Sequence, residues 1–148
     1  MKYLMYALIL LSSFNSFASN DEIFTATVLK FPEPDILKVD IPTFPDITGR
    51  DVYVRMLGVD APSINGACDE EKLLAMKALT YINSRLKTIP TRIALTNMRR
   101  GNYFLYHAEV LVNGSSLGEE LVIQGYAKRI EDHKQGKRVK RINWCKAT

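Results

Sequence analysis

Cys68 and Cys145 are the only cysteines of the 148-residue chain, and a thiol pair can close a disulfide or contribute to a metal site. Zinc needs further nitrogen or sulfur ligands, and the two histidines, His107 and His133, have no spacing that joins them to either cysteine. The compartment decides the rest. Met1-Lys2-Tyr3 carries one positive charge, Leu4 to Leu11 is an apolar run and Ser16-Phe17-Ala18 ends in small residues, the pattern of a secretory signal cut after Ala18. No cysteine sits near that cut, so a lipid anchor is not expected. In the periplasm or the medium an even cysteine pair forms a disulfide. Closing a loop of 77 residues, 145 minus 68, constrains the unfolded chain by about 4.5 kcal/mol in the entropy model.

A second set of residues able to do chemistry is basic. The formal charge is +4, from 20 Lys and Arg against 16 Asp and Glu, and losing Lys2 with the signal leaves +3. From Tyr126 onward eight basic and two acidic residues give +6, so the remainder of the mature chain is net negative. Lys137, Arg138, Lys140 and Arg141, with Trp144 beyond them, have the composition of a nucleic-acid contact, cations for phosphate and an aromatic ring for stacking. The competing reading is a solvated tail pinned by Cys145. With 47% hydrophobic and 24% charged residues the chain is globular, and no internal stretch reaches the length of an apolar membrane-spanning helix. The expected organisation is a signal over 1–18 and one domain over 19–148 with a basic tail from about 126, monomeric and free of the membrane once the signal is cleaved.

These residues need elements to position them. Thr25 to Phe31 and Ile36 to Ile41 are expected strands, separated by a turn at Pro32-Glu33-Pro34. Pro42 to Gly49 has the composition of a loop. Asp51 to Leu57 alternates, with Val52, Val54 and Met56 on one face, so Arg55 points away from the core. From Glu70 to Leu86 the period changes: Ala75, Leu79, Ile82 and Leu86 form the stripe of an amphipathic helix that Pro90 keeps from extending. Arg92 to Met98 and Tyr103 to Val112 are expected strands joined through Arg99-Arg100-Gly101-Asn102. Asn113-Gly114 makes the next turn, and Ser116 with Glu119 is a capping box for a helix through about Gln124. Three strands, a helix, two strands and a helix predict a mainly β, α+β protein: a five-stranded OB-fold barrel with covering helices.

The order of elements and the local wording together resemble the staphylococcal-nuclease (thermonuclease-like) family. The resemblance is carried by Val28-Leu29-Lys30, Asp35, Val54-Arg55-Met56-Leu57-Gly58-Val59-Asp60-Ala61-Pro62, Ala108-Glu109-Val110-Leu111-Val112-Asn113-Gly114 and Leu121-Val122-Ile123-Gln124-Gly125-Tyr126-Ala127. It spans about Thr25 to Cys145, and Cys68 with Trp144-Cys145 is similar to the exported bacterial subgroup. It implies a calcium-dependent phosphodiesterase acting on DNA and RNA. In such chemistry two carboxylates hold a hard cation against the phosphate, two arginines stabilise the charge of the transition state, and a glutamate is the general base. Asp35 and Asp60 match the calcium aspartates and Arg55 the first arginine.

The other positions depart from that pattern. Glu33-Pro34-Asp35-Ile36 stands for Asp-Gly-Asp-Thr, Ser63 stands where the base is expected, and Leu105 stands for the second arginine. Loss of a base costs about 10²–10⁴ in rate and of one charge donor about 10²–10³. The expectation is therefore an exported, catalytically impaired nuclease homologue that binds nucleic acid or a protein partner, with calcium weak or absent. The alternatives are a weak calcium-dependent phosphodiesterase with a substitute base, and a pure protein-interaction module. His107, two residues from Leu105 on the same strand face, is the candidate substitute cation or base, and an ordinary surface histidine is the competing reading. Arg100, five residues before Leu105, lies roughly 16 Å away if the strand is extended. Asp69, Glu70 and Glu71 offer a displaced carboxylate, or simply the acidic first turn of a helix.

Overall fold

The computed structural model describes residues 22–130 and 141–145. The expected signal over 1–18 and the tail residues Lys137, Arg138 and Lys140 lie outside them.

Five strands build a closed barrel: β1 (Phe24–Glu33), β2 (Ile36–Asp40), β3 (Val52–Met56), β5 (Thr91–Arg100) and β6 (Leu105–Val112). They pair in the order β3-β2-β1-β5-β6, and a parallel pairing of β3 with β6 joins the two edges. The inward residues of the alternating strands, Ala26, Val28, Leu37, Val39, Val54, Leu95, Ala108 and Val110, are almost completely buried. Helix α2 (Asp69–Leu86) lies between β3 and β5 in the chain and packs Ile82 and Leu86 into the same core. Helix α3 (Leu117–Ile123) adds Leu117 and Leu121, and its Ser116 Oγ accepts a hydrogen bond from Glu119 N, as the capping box requires. This is the expected OB-fold-like α+β barrel.

Four local expectations need correction. The segment 42–49 is not all loop: Asp46–Gly49 forms a one-turn helix, α1, too short to leave a periodic signal. Gly49 is required there, since a Cβ would lie 2.7 Å from Ile41 O. Pro32 lies inside β1 and not in the turn. It is tolerated because the β1–β2 ladder is irregular between Lys30 and Glu33, which leaves Pro34 and Asp35 as the corner. Two short strands, β4 (Val59–Asp60) and β8 (Lys128–Arg129), pair antiparallel as a separate ribbon, while β7 (Ser115–Ser116) extends the edge of β6. Finally, β6 begins at Leu105 and not at Tyr103. Tyr103 and Phe104 have positive φ of 56° and 60° and form part of the hairpin tip, where they are 96% and 81% exposed.

Candidate functional site

The matched carboxylates meet at one end of the barrel. Asp35 is delivered by the β1–β2 corner, whose carbonyl accepts from Met56 N at 2.9 Å, and β3 places Arg55 beside it with Nε 3.7 Å from Asp35 Oδ2. Asp60 follows on β4. Both aspartates are 7% exposed. Burial pushes the Asp35 carboxyl up to about 6; Arg55 opposes the rise, Asp60 adds to it and Arg141 opposes it. Arg55 Nε is buried and makes no hydrogen bond among the described residues, so its link to Asp35 is an ion pair without donor geometry.

Asp60 has a different environment, made by residues more than 80 positions away. Its Oδ2 accepts from Ile142 N at 3.2 Å and from Trp144 Nε1 at 3.0 Å, while Arg141 Nε stands 3.7 Å from its Oδ1. Arg141 Nη2 also donates to Ala61 O at 3.1 Å and to Glu71 Oε1 at 3.4 Å. The Cys68–Cys145 disulfide is formed and anchors this C-terminal segment. A hard cation needs free oxygen lone pairs, and here one Asp60 oxygen already serves two N–H donors while the other faces a guanidinium. Asp35 and Asp60 in this arrangement do not fit a calcium site. The nearest group with ligand geometry, Cys68, Glu71 and Cys145, has both sulfurs committed to the disulfide.

Ser63 is held between carboxylates. Its Oγ donates to Glu33 Oε1 at 3.1 Å and its N to Glu71 Oε1 at 3.1 Å, and Ile64 N donates to Glu33 Oε2 at 3.0 Å. Glu71 accepts also from Ala67 N at 3.0 Å, so this buried carboxylate ties the 63–67 loop to the start of α2. Glu33 was not singled out from the sequence, although its i, i+2 relation to Asp35 at a strand end was a usable signal.

The outer face of the sheet carries a row of cationic or basic side chains. Arg55 on β3 is in register with His107 on β6, which is in register with Arg99 on β5. A one-residue irregularity between Thr96 and Arg99, with Asn97 at φ 52°, shifts the alternation so that Arg99 and not Met98 shares the His107 face. Arg100 pairs with Tyr106, because the chain reverses at Gly101–Phe104 and does not run on extended. The 16 Å estimate for Arg100 therefore does not describe this hairpin. Gly101 allows the reversal beside His107: a Cβ there would lie 2.6 Å from the imidazole. Leu105 is in register with Tyr53, two residues along from the Arg55–His107 pair. An open cavity of about 240 Å³, lined among others by Leu57, Asn97, Glu109, Glu119 and Arg99 of this row, includes neither aspartate.

Fold and site define an OB-fold-like barrel with a buried carboxylate pair at one end and a basic row on its outer face. Compared with known proteins, the chain matches no family model and no curated sequence.

Proposed function

We propose that this is an exported homologue of the staphylococcal-nuclease type that binds single-stranded nucleic acid and is impaired as a phosphodiesterase. The observation that carries the impairment is the set of contacts on Asp60: Ile142 N, Trp144 Nε1 and Arg141 occupy the carboxylate that calcium chemistry would need. Export is supported by the Cys68–Cys145 disulfide, which belongs to oxidising compartments. Binding is supported by the Arg55–His107–Arg99 row, which gathers two arginines and a histidine across three adjacent strands where they can attract a phosphate backbone. Tyr53 borders that row, and Tyr103 and Phe104 are exposed at the tip of the neighbouring hairpin, where bases can stack. OB-fold barrels bind oligonucleotides on such a face and its loops.

The test is fluorescence anisotropy of a labelled single-stranded DNA 12-mer in EDTA at several salt concentrations. Arg99→Ala is expected to weaken binding and to lower the slope of log affinity against log salt by about 0.7, the value for one lost single-strand phosphate contact. An unchanged slope removes Arg99 from the interface.

A second reading is favoured by Glu33. Its carboxylate at the Ser63 hydroxyl lies where the missing glutamate is expected, so a residual phosphodiesterase would use Glu33 as its base. Glu33→Gln abolishing a measurable cleavage rate would support that reading.

A further inference from the structure

The cavity of about 240 Å³ is built by Leu57 and Val59 where β3 passes into β4, by Asn97 and Arg99 of β5, Glu109 of β6 and Glu119 of α3. Arg99 sets it next to the basic row, and Glu109 follows His107 two residues along β6 on the same outer face. Its volume lies below the roughly 300–1,000 Å³ of pockets that take drug-sized molecules, so it suits a single flat ring system. A carboxylate there repels phosphate, and Glu109 therefore does not serve the nucleic-acid backbone. It serves groups that donate hydrogen. Thr96 Oγ1 donates to Glu109 Oε2 at 3.5 Å, and a carboxylate offers about four lone-pair sites, so acceptor capacity is left. Glu119 differs, since both of its oxygens accept from Arg129.

We propose that this cavity is a nucleobase pocket that selects guanine in single-stranded nucleic acid, with Glu109 as the residue that reads the base. The hydrogen-bond pattern of the Watson–Crick edge decides the choice. Guanine presents two neighbouring donors, N1–H and the 2-amino group, with the O6 acceptor beyond them. Cytosine and adenine present one amino donor beside a ring-nitrogen acceptor, and thymine or uracil one N–H between two carbonyls. Only guanine meets both oxygens of Glu109 without setting a lone pair against them. The Asn97 side-chain amide can donate to O6, while Leu57 and Val59 offer the ring an apolar wall. Asn97 holds φ 52°, a left-handed conformation that asparagine tolerates, and the same irregularity of β5 brings Arg99 to the row. A base in the cavity thus lies next to a phosphate on Arg99. The inference rests on the proposed binding of single strands and adds a base preference to it.

The oxidised full mature protein is titrated by anisotropy, in EDTA, with thymidine 12-mers that carry guanine, adenine, cytosine or hypoxanthine at one central position. One guanine is expected to tighten binding on the order of tenfold over the all-thymidine strand, as one good bidentate contact allows. Hypoxanthine, which keeps N1–H and O6 but lacks the 2-amino group, should lose most of that gain. Glu109→Gln, with one donor and one acceptor in place of two acceptors, should level the bases. Asn97→Gly, which keeps the left-handed backbone, should lower the preference for guanine. Each readout is a ratio between strands, so a change in overall affinity does not disguise it. Equal affinity for all strands, in a protein that binds them, would overturn the pocket and leave the basic row standing. So would a guanine preference that survives Glu109→Gln. If no strand binds, the proposed function fails and guanosine alone decides, because it reaches the cavity without a phosphate on the row. Amide NMR shifts at Gly58 and Asn97 that guanosine causes and inosine does not would then sustain the pocket, and their absence would reject it.

Discussion

Asp35 and Asp60 show what a carboxylate becomes when its partners differ. Asp60 receives two N–H donors and a guanidinium, whereas Asp35 has one arginine at 3.7 Å and a burial that its charge does not recover. The sign of the pH effect follows. With a folded-state pKa of about 6 against an ordinary 3.8, folded Asp35 keeps its proton while the unfolded chain releases it. Stability contributed by the protonated form is present below about pH 4 and declines as pH rises toward 6, by an amount on the order of 3 kcal/mol. Asp35→Asn should therefore be more stable than the native chain at pH 7 and should flatten the pH 4–6 slope in urea unfolding. An unaltered slope would place the titration elsewhere. Asp35, Arg55 and Asp60 were legible as candidates only through the resemblance of the stretches that hold them to the staphylococcal-nuclease family. The sequence did not disclose what occupies Asp60, since Ile142 lies 82 residues away in the chain.

At the scale of elements, strand pairing decides which side chains work together. Alternation places Arg55 outside the barrel, and the structure agrees, but Arg99 reaches the same face only through the irregularity at Asn97, which no periodicity reveals. Tyr103 was misplaced for a related reason: positive φ at two successive aromatic residues is not what their types favour, and the tight return of the hairpin imposes it. Helices α2 and α3 were legible, one from its four- and three-residue steps and the other from its capping box, whereas the one-turn α1 was not. Helix α3 is fixed to the barrel by Leu121, fully buried, and to α2 by Glu120, which accepts from Arg85 Nη2 at 2.7 Å and from the Tyr81 hydroxyl at 3.1 Å. Leu121→Ala should cost about 2–5 kcal/mol as a core truncation. Glu120→Gln should lower the urea midpoint by clearly less, because that pair is partly solvated, and should leave the m value unchanged. The reverse order would mean that the α2–α3 ion pair, and not the core, docks α3.

For the whole molecule, the barrel supplies a rigid frame with two separate surfaces, a carboxylate end closed by the chain's own C-terminal segment and an outer sheet face that is basic and edged with aromatics. The disulfide spans 77 residues and links the start of α2 to that segment. Replacing both cysteines with serine should lower stability by up to about 4.5 kcal/mol in the entropy model. A loss near zero would mean that the segment stays in place through Asp60 and Glu71 alone. The central claim is that this fold binds single-stranded nucleic acid without efficiently cutting it, and one measurement tests both halves: a single-stranded DNA oligonucleotide, labelled at one end for anisotropy and followed for chain length, is incubated with the oxidised protein in calcium and in EDTA. The account predicts the same rise in anisotropy and an intact strand in both conditions, whereas a strand cut rapidly in calcium and preserved in EDTA would contradict it.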